Sequence, residues 1–154
     1  MDNPGTNAGT ARALAVLVPL VLLGGAYVSQ YGFGLYPCEM CWWQRYPLFA
    51  ALGLGLLAFV MKPPQVWTAL AGLAILTSGV IGGFHAGVEY HWWQGITPCT
   101  APASGVNVLD FNAAPLIRCD VAPWTLFGIS LAGFNFLIST SMGAAIVALA
   151  AYRK

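Results

Sequence analysis

The stretch that decides the fold is CEMCWWQRYPLFAALGLGLLAFVM, Cys38 to Met61. After Arg45 it runs uncharged to Met61, where Lys62-Pro63-Pro64 makes a tight, charged turn. Such a run suits a hydrocarbon layer about 30 Å thick. Its front end holds Cys38-x-x-Cys41, with Arg45 four residues beyond the second cysteine. On a helix Cys41 and Arg45 would share a face, one turn apart. A guanidinium there favours a thiolate, as does the positive end of a helix that begins near Cys41. A thiolate that attacks and leaves readily suits a redox disulfide. The ordinary reading of a lone Cys-x-x-Cys is a structural or metal-holding pair, and the rest of the chain has to decide between them. Pro47 leaves two options: the helix proper starts near Arg45, or it is kinked there.

The composition of all 154 residues agrees with a membrane protein. Some 58% are hydrophobic and only 7% charged, against about 25% charged in a soluble domain. A net charge of +1 leaves no basic footprint for nucleic acid. The expected fold class is an all-α membrane protein, a bundle of four transmembrane helices in one domain over residues 1–154. Spans are expected at about 13–31, 43–61, 66–88 and 123–152, with a long loop at about 89–122. Met1 to Arg12 is small and polar, and is expected to be poorly ordered. The first span is longer than the roughly 7–15 apolar residues of a signal peptide and reads as an uncleaved helix. Trp92-Trp93 fits an interfacial aromatic belt. In the loop, Val106, Val108, Leu109 and Phe111 hint at a stretch lying on the membrane surface.

Four spans put both termini and the Lys62 turn on one side, with Arg12, Lys62, Arg153 and Lys154. Arg45 and Arg118 fall on the other, with Glu39, Glu89, Asp110 and Asp120. Lys and Arg favour the cytoplasmic side, so the termini are expected there. All four cysteines, the close pair Cys38 and Cys41 and the wide pair Cys99 and Cys119, then share the outer side. Disulfides can form on that side.

The order of these motifs relative to the spans resembles the bacterial disulfide bond formation protein B (DsbB) family. The resemblance rests on Cys38-x-x-Cys41 with Gln44-Arg45 at the mouth of the second span, and on His85-Ala86-Gly87-Val88-Glu89 at the end of the third. It rests also on Cys99 in the loop and on Cys119-Asp120 with Pro123-Trp124 before the fourth span. It covers nearly the whole chain. The related vitamin K epoxide reductase family places its Cys-x-x-Cys late in the chain and fits worse. The DsbA–DsbB–quinone relay is the established means by which the bacterial periplasm is kept oxidising. The resemblance therefore implies a bacterial inner-membrane enzyme with periplasmic cysteines, a thioredoxin-like (DsbA-type) partner, and a membrane quinone, ubiquinone or menaquinone, as electron acceptor. It implies that Cys99 forms the mixed disulfide with the partner, and that Cys119 is its companion and attacks the inner pair. Cys38 receives that attack, Cys41 faces the quinone, and Arg45 stands where the family has its quinone-side arginine.

Each role has a plainer competitor. Cys99–Cys119 could be a clasp that closes about 20 residues and stabilises the loop by roughly 3 kcal/mol. Arg45 could be a snorkelling interfacial arginine. His85 and Glu89, at i and i+4, could line the quinone site or form a hydrogen-bonded pair at a helix end, and His91 could equally be the histidine near the quinone. Two other functions are a metal-handling protein, with Cys38, Cys41 and a histidine as ligands for copper or zinc, and a non-catalytic four-helix protein with two structural disulfides. No Gly-x-Gly-x-x-Gly turn is present to hold a nicotinamide cofactor.

Overall fold

In a computed structural model of the protein, the described residues are 4–97 and 118–151. Four helices dominate: α1 Pro4–Gly32, α2 Glu39–Val60, α3 Pro64–Glu89 and α4 Leu131–Ala151. Each holds a stretch long and apolar enough to cross a membrane, and the protein is a four-helix multi-pass membrane protein. The surface supports this: Val21, Val60 and Val80 each expose about two-thirds or more of their area, as side chains facing lipid must.

Lipid tails are as apolar as leucine, so helices in a bilayer associate through close packing rather than the hydrophobic effect. The α3–α4 seam shows how. A Cβ added to Gly143 would lie 2.9 Å from the Gly72 carbonyl oxygen, and one added to Gly72 would lie 2.8 Å from Val147 Cγ2. The two backbones therefore touch. Around them Ala15, Leu48, Ala71, Ile75 and Ile146 form the buried centre where all four helices meet.

Three boundaries differ from the sequence expectation. Residues 4–12, expected to be poorly ordered, belong to α1. Ala11 is buried, Arg12 Nε donates to the Ala8 carbonyl at 3.3 Å, and the Arg12 guanidinium lies over the Phe59 ring. Packing against the far end of α2 thus orders a segment whose composition gives no such sign. Helix α2 starts at Glu39, not near Arg45, and Pro47 lies inside it. The early start has a cap: Cys38 Sγ accepts the Cys41 main-chain N–H at 3.2 Å, and Glu39 places a negative charge in the first turn.

The third difference precedes α4, which begins at Leu131 rather than near Pro123. A small antiparallel hairpin fills the gap, with β1 Thr125–Leu126 paired to β2 Ile129–Ser130. Phe127 and Gly128 turn it with φ of 51° and 76°, the left-handed pair of a type I′ turn. The Tyr90 hydroxyl at the end of α3 donates to the Gly128 carbonyl at 2.7 Å and accepts the Ser130 N–H at 3.0 Å. Ser130 Oγ in turn accepts the Gly133 N–H at 3.1 Å, an N-cap for α4. The hairpin thus ties the end of α3 to the start of α4. Val106, Val108, Leu109 and Phe111 lie outside the described residues, as do Cys99 and Asp110.

Candidate active site

Cys38 and Cys41 bracket the first turn of α2, with their sulfurs 2.9 Å apart as free thiols. Cys38 is buried and Cys41 half-buried. The hydrogen bond shared with Cys41, helped by burial, pushes the Cys38 thiol far above the usual thiol range. Cys119 is fully buried and takes part in a disulfide. It belongs to one apolar cluster with Cys38, Met40 and Val88, so Cys119 meets the close pair at the mouth of the bundle.

His85 comes to the same point from α3. Its Nε2 lies 3.6 Å from Cys38 Sγ and 3.8 Å from Glu89 Oε1, one turn further along α3. The Cys119 main chain faces the same ring. The other ring nitrogen, Nδ1, lies 2.8 Å from Gln44 Nε2. Glu89 is buried, and among the described residues its Oε2 has no hydrogen-bond partner. A buried, unsatisfied carboxylate oxygen is costly and calls for a reason.

Arg45 lies one turn beyond Cys41 and is buried within the bundle. Its Nη1 donates to Gln30 Oε1 at 2.7 Å and its Nη2 to the Ala26 carbonyl at 3.3 Å, both on α1. The guanidinium also lies over the rings of Tyr27 and Trp42, at 4.9 and 5.0 Å. Among the described residues no carboxylate lies within ion-pair distance of it.

Two cavities meet here. One, of about 240 Å³, is lined by all four helices: Gly25 and Ala26 of α1, Cys41 and Arg45 of α2, His85 and Glu89 of α3, and Phe134 and Asn135 of α4. The other, of about 420 Å³, is lined by Cys38, Arg118 and Val121, and again by Cys41, His85 and Glu89. Beside Cys119, Arg118 grips Asp120 with two hydrogen bonds of 2.9 and 2.6 Å. That grip holds the Asp120 carboxyl below the usual carboxylate range.

Comparison with known proteins gives the family. The family model described as "Disulfide bond formation protein DsbB" matches residues 9–149. This chain belongs to the DsbB family. Disulfide bond formation protein B of Verminephrobacter eiseniae is 30% identical over 150 residues, covering 90% of this chain and 84% of the relative. Its namesake in Acinetobacter baumannii is 31% identical over 136 residues, covering 77% and 76%. An uncharacterised protein of Rickettsia prowazekii is 24% identical over 132 residues. No solved structure gives a significant match. Membership of the DsbB family makes the chain a membrane oxidoreductase of disulfide bond formation.

Of the residues singled out from the sequence, Cys38, Cys41, Arg45, His85 and Glu89 converge on one cavity wall or the next. Cys119 joins Cys38 from the side. His91 does not converge: it sits exposed past the end of α3 with φ of 60°, and lines neither cavity. Cys99, the remaining cysteine of the DsbB pattern, lies outside the described residues.

Sequence reasoning missed Gln44 and Asn135 on the cavity wall, and the Ser78 and Ser139 hydroxyls behind them. Asn135 Nδ2 donates to Gln44 Oε1 at 2.9 Å and to the Ser78 carbonyl at 3.1 Å. Ser139 Oγ donates to Asn135 Oδ1 at 2.8 Å, and Ser78 Oγ donates to the Gln44 carbonyl at 2.8 Å. A signal was available, since an amide inside an apolar span is a functional pointer in its own right.

The same network tests the metal reading. Cys38, Cys41 and His85 each bring a ligand atom within 4.8 Å of the others. A metal would need the Nε2 lone pair. Gln44 Nε2 donates to Nδ1, so the ring proton must sit on Nε2 and the lone pair is not offered. This trio does not fit a metal site.

Proposed function

We propose that the protein reoxidises a periplasmic thioredoxin-like (DsbA-type) oxidant and passes the electrons to a membrane quinone. The observation that carries this is the meeting of two cavities at Cys41, His85 and Glu89, with the dithiol at the junction. An apolar cavity reached by all four helices suits a lipid-soluble acceptor. A cleft beside Cys119 suits exchange with the outer cysteines.

The thiol steps balance as follows. A thiolate of the reduced partner attacks Cys99 and opens the Cys99–Cys119 disulfide. The partner's second thiol then resolves the mixed disulfide and leaves the partner oxidised. Cys119 attacks Cys38 Sγ, and Cys41 leaves as a thiolate. Cys99 then attacks Cys119, restoring the outer disulfide and releasing Cys38. Two electrons and two protons have moved from the partner to Cys38 and Cys41. A quinone, ubiquinone or menaquinone, supplies a two-electron, two-proton acceptor that lets the Cys38–Cys41 disulfide re-form.

The residues present fit such a group. Arg45 provides a buried cation on the cavity wall, able to donate to an oxygen that gains negative charge. Glu89 Oε2 is a buried acceptor without a hydrogen-bond partner among the described residues, and can hold a proton near the same wall. Phe134 and the α1 surface give the apolar remainder. The location we propose is the bacterial inner membrane, with both termini cytoplasmic and the cysteines periplasmic. Charge supports it: Arg45 lies inside the bundle and Arg118 is paired with Asp120, so the free basic residues favour the Arg12 and Lys62 end.

The test is anaerobic. Purified protein is mixed with a reduced thioredoxin-like oxidant and a soluble quinone analogue, and quinone absorbance is followed. Stoichiometric loss of quinone with the partner's thiols supports the proposal. Partner oxidation that leaves added quinone untouched overturns it.

A further inference from the structure

The polar network inside the bundle has a fixed direction that can be read bond by bond. It starts at a main-chain carbonyl, which can only accept. The Ser78 carbonyl receives Asn135 Nδ2 at 3.1 Å, and this orients the Asn135 amide. With Nδ2 turned that way, Asn135 Oδ1 faces Ser139 Oγ, which donates to it at 2.8 Å. The same Nδ2 group donates to Gln44 at 2.9 Å, so the Gln44 atom there must be the oxygen. Gln44 Nε2 is then committed to the other side, where it donates to the Met40 carbonyl at 3.2 Å. Its second neighbour is His85 Nδ1 at 2.8 Å. That nitrogen must accept, because a proton on it would set two donors face to face. The ring proton is therefore on Nε2, the nitrogen 3.6 Å from Cys38 Sγ.

We infer that Asn135 is a positioning residue that acts through Gln44 to hold the His85 imidazole with its N–H aimed at Cys38 Sγ. It lies on a different helix from either cysteine and acts through two intervening side chains. Its amide is anchored on a main-chain carbonyl of a neighbouring helix and, unlike Ser78 Oγ, which bonds the Gln44 main chain, it bonds the Gln44 side chain. If Asn135 is removed, Gln44 can turn its amide over, present Oε1 to Nδ1 and draw the ring proton away from Cys38.

The consequence rests on the proposed function. When Cys99 restores the outer disulfide, the bond between Cys119 and Cys38 breaks and Cys38 takes the electron pair. A thiolate forms at a buried sulfur. The Cys41 main-chain N–H and the His85 Nε2–H, which the Cys119 main chain and Glu89 Oε1 also approach, are the donors in place to receive it. The proton stays on His85 throughout, so the step needs no further reactant. Asn135 should therefore govern the thiol-exchange half of the cycle, whereas Arg45 governs the quinone half.

The chain contains two histidines, which makes the test direct. Protein labelled with ring-15N histidine, in detergent micelles, gives two imidazole signals, assigned with the His91→Gln variant. The expected result for His85 is a neutral ring protonated on Nε2 in the native protein. A mixture or the Nδ1 form is expected in Asn135→Ala, and the native form is retained in Ser139→Ala. In quinone-depleted protein, transfer of electrons from a reduced partner to Cys38 and Cys41, read by alkylating trapped thiols, should slow roughly tenfold in Asn135→Ala, the size of one lost hydrogen bond to a charged group. Native His85 protonated on Nδ1 overturns the inference without any variant. So does an unchanged tautomer in Asn135→Ala, or a shifted tautomer with an unchanged exchange rate. Both readouts work without an acceptor, so failure of the native protein to reduce quinone would count against the functional proposal alone.

Discussion

The Cys41 main-chain N–H donates to Cys38 Sγ at 3.2 Å, so the first cysteine of the pair caps the helix that carries the second. One atom thus has two duties, a structural one at the helix end and a chemical one in exchange. The two can be separated by substitution. Cys38→Ser keeps an oxygen able to cap, and Cys38→Ala does not. Both should abolish turnover. The alanine variant should unfold more easily by about 1 kcal/mol, measured by thermal unfolding in detergent. Equal stability of the two variants would show that the cap contributes nothing.

Arg45 lines the apolar cavity beside Cys41 and is held there by α1. Arg45→Ala should slow quinone reduction at least tenfold and raise the apparent KM for quinone, the loss expected for one charged donor. Arg45→Lys should recover part of the rate, because it keeps the charge without the planar fork. Single-turnover oxidation of the partner should change little in either variant. Normal steady-state quinone kinetics in Arg45→Ala would reduce Arg45 to a tether between α1 and α2.

The outer cysteines should separate by role. Cys99→Ala should leave the partner unable to form a mixed disulfide. Cys119→Ala should instead form one on mixing with oxidised partner, because Cys99 is then a free thiol able to open the partner's disulfide and only the partner's second thiol is left to release it. Non-reducing gels read both outcomes. A Cys99→Ala protein that still turned over the partner at the native rate would reverse the assigned order.

Cys38 should titrate late. Its thiol is held above the usual range chiefly by the hydrogen bond with Cys41 and then by burial. A raised pKa leaves the thiol protonated and slow to alkylate until the pH passes the shifted value. In Cys41→Ala the main cause is removed, so the pH midpoint for alkylation of Cys38 should fall toward about 8.5, the ordinary thiol value. Burial remains, so the midpoint should stop short of it. A midpoint that does not move would place the cause in burial alone.

Much of the site was legible in the sequence because its parts lie within single turns. Cys38-x-x-Cys41 with Arg45, and His85 with Glu89, are short-range patterns whose spacing survives folding. That His85 reaches both cavities and His91 neither was not legible. They lie close in the chain, but His91 falls past the end of α3 in a left-handed conformation that turns the chain away. The network around Asn135 was hidden for another reason. Which amide meets which carbonyl depends on how α3, α4 and α2 are rotated against one another, and no single helix carries that information. The hairpin before α4 was masked by composition, since Trp124, Leu126, Phe127 and Ile129 read like the start of a span. The order in residues 4–12 comes from contact with the distant Phe59, which a local reading cannot supply.

The touching backbones at Gly72 and Gly143 have a mechanical consequence. Neither glycine puts a side chain between the two backbones at that crossing, so α3 and α4 are held stiffly against each other there. When lipid of a different thickness tilts the bundle, the two tilt together, and Asn135 keeps its grip on the Ser78 carbonyl. Helix α2 has its own close backbone contact only further along, where a Cβ added to Gly55 would lie 2.6 Å from the Ala15 carbonyl oxygen of α1. Pro47 removes a main-chain hydrogen bond from the interior of α2, which gives its first turns a point of compliance. Bilayer stress is thereby taken up on the segment that carries the cysteines and Gln44, while Asn135 and Ser78 keep their register across the α3–α4 seam.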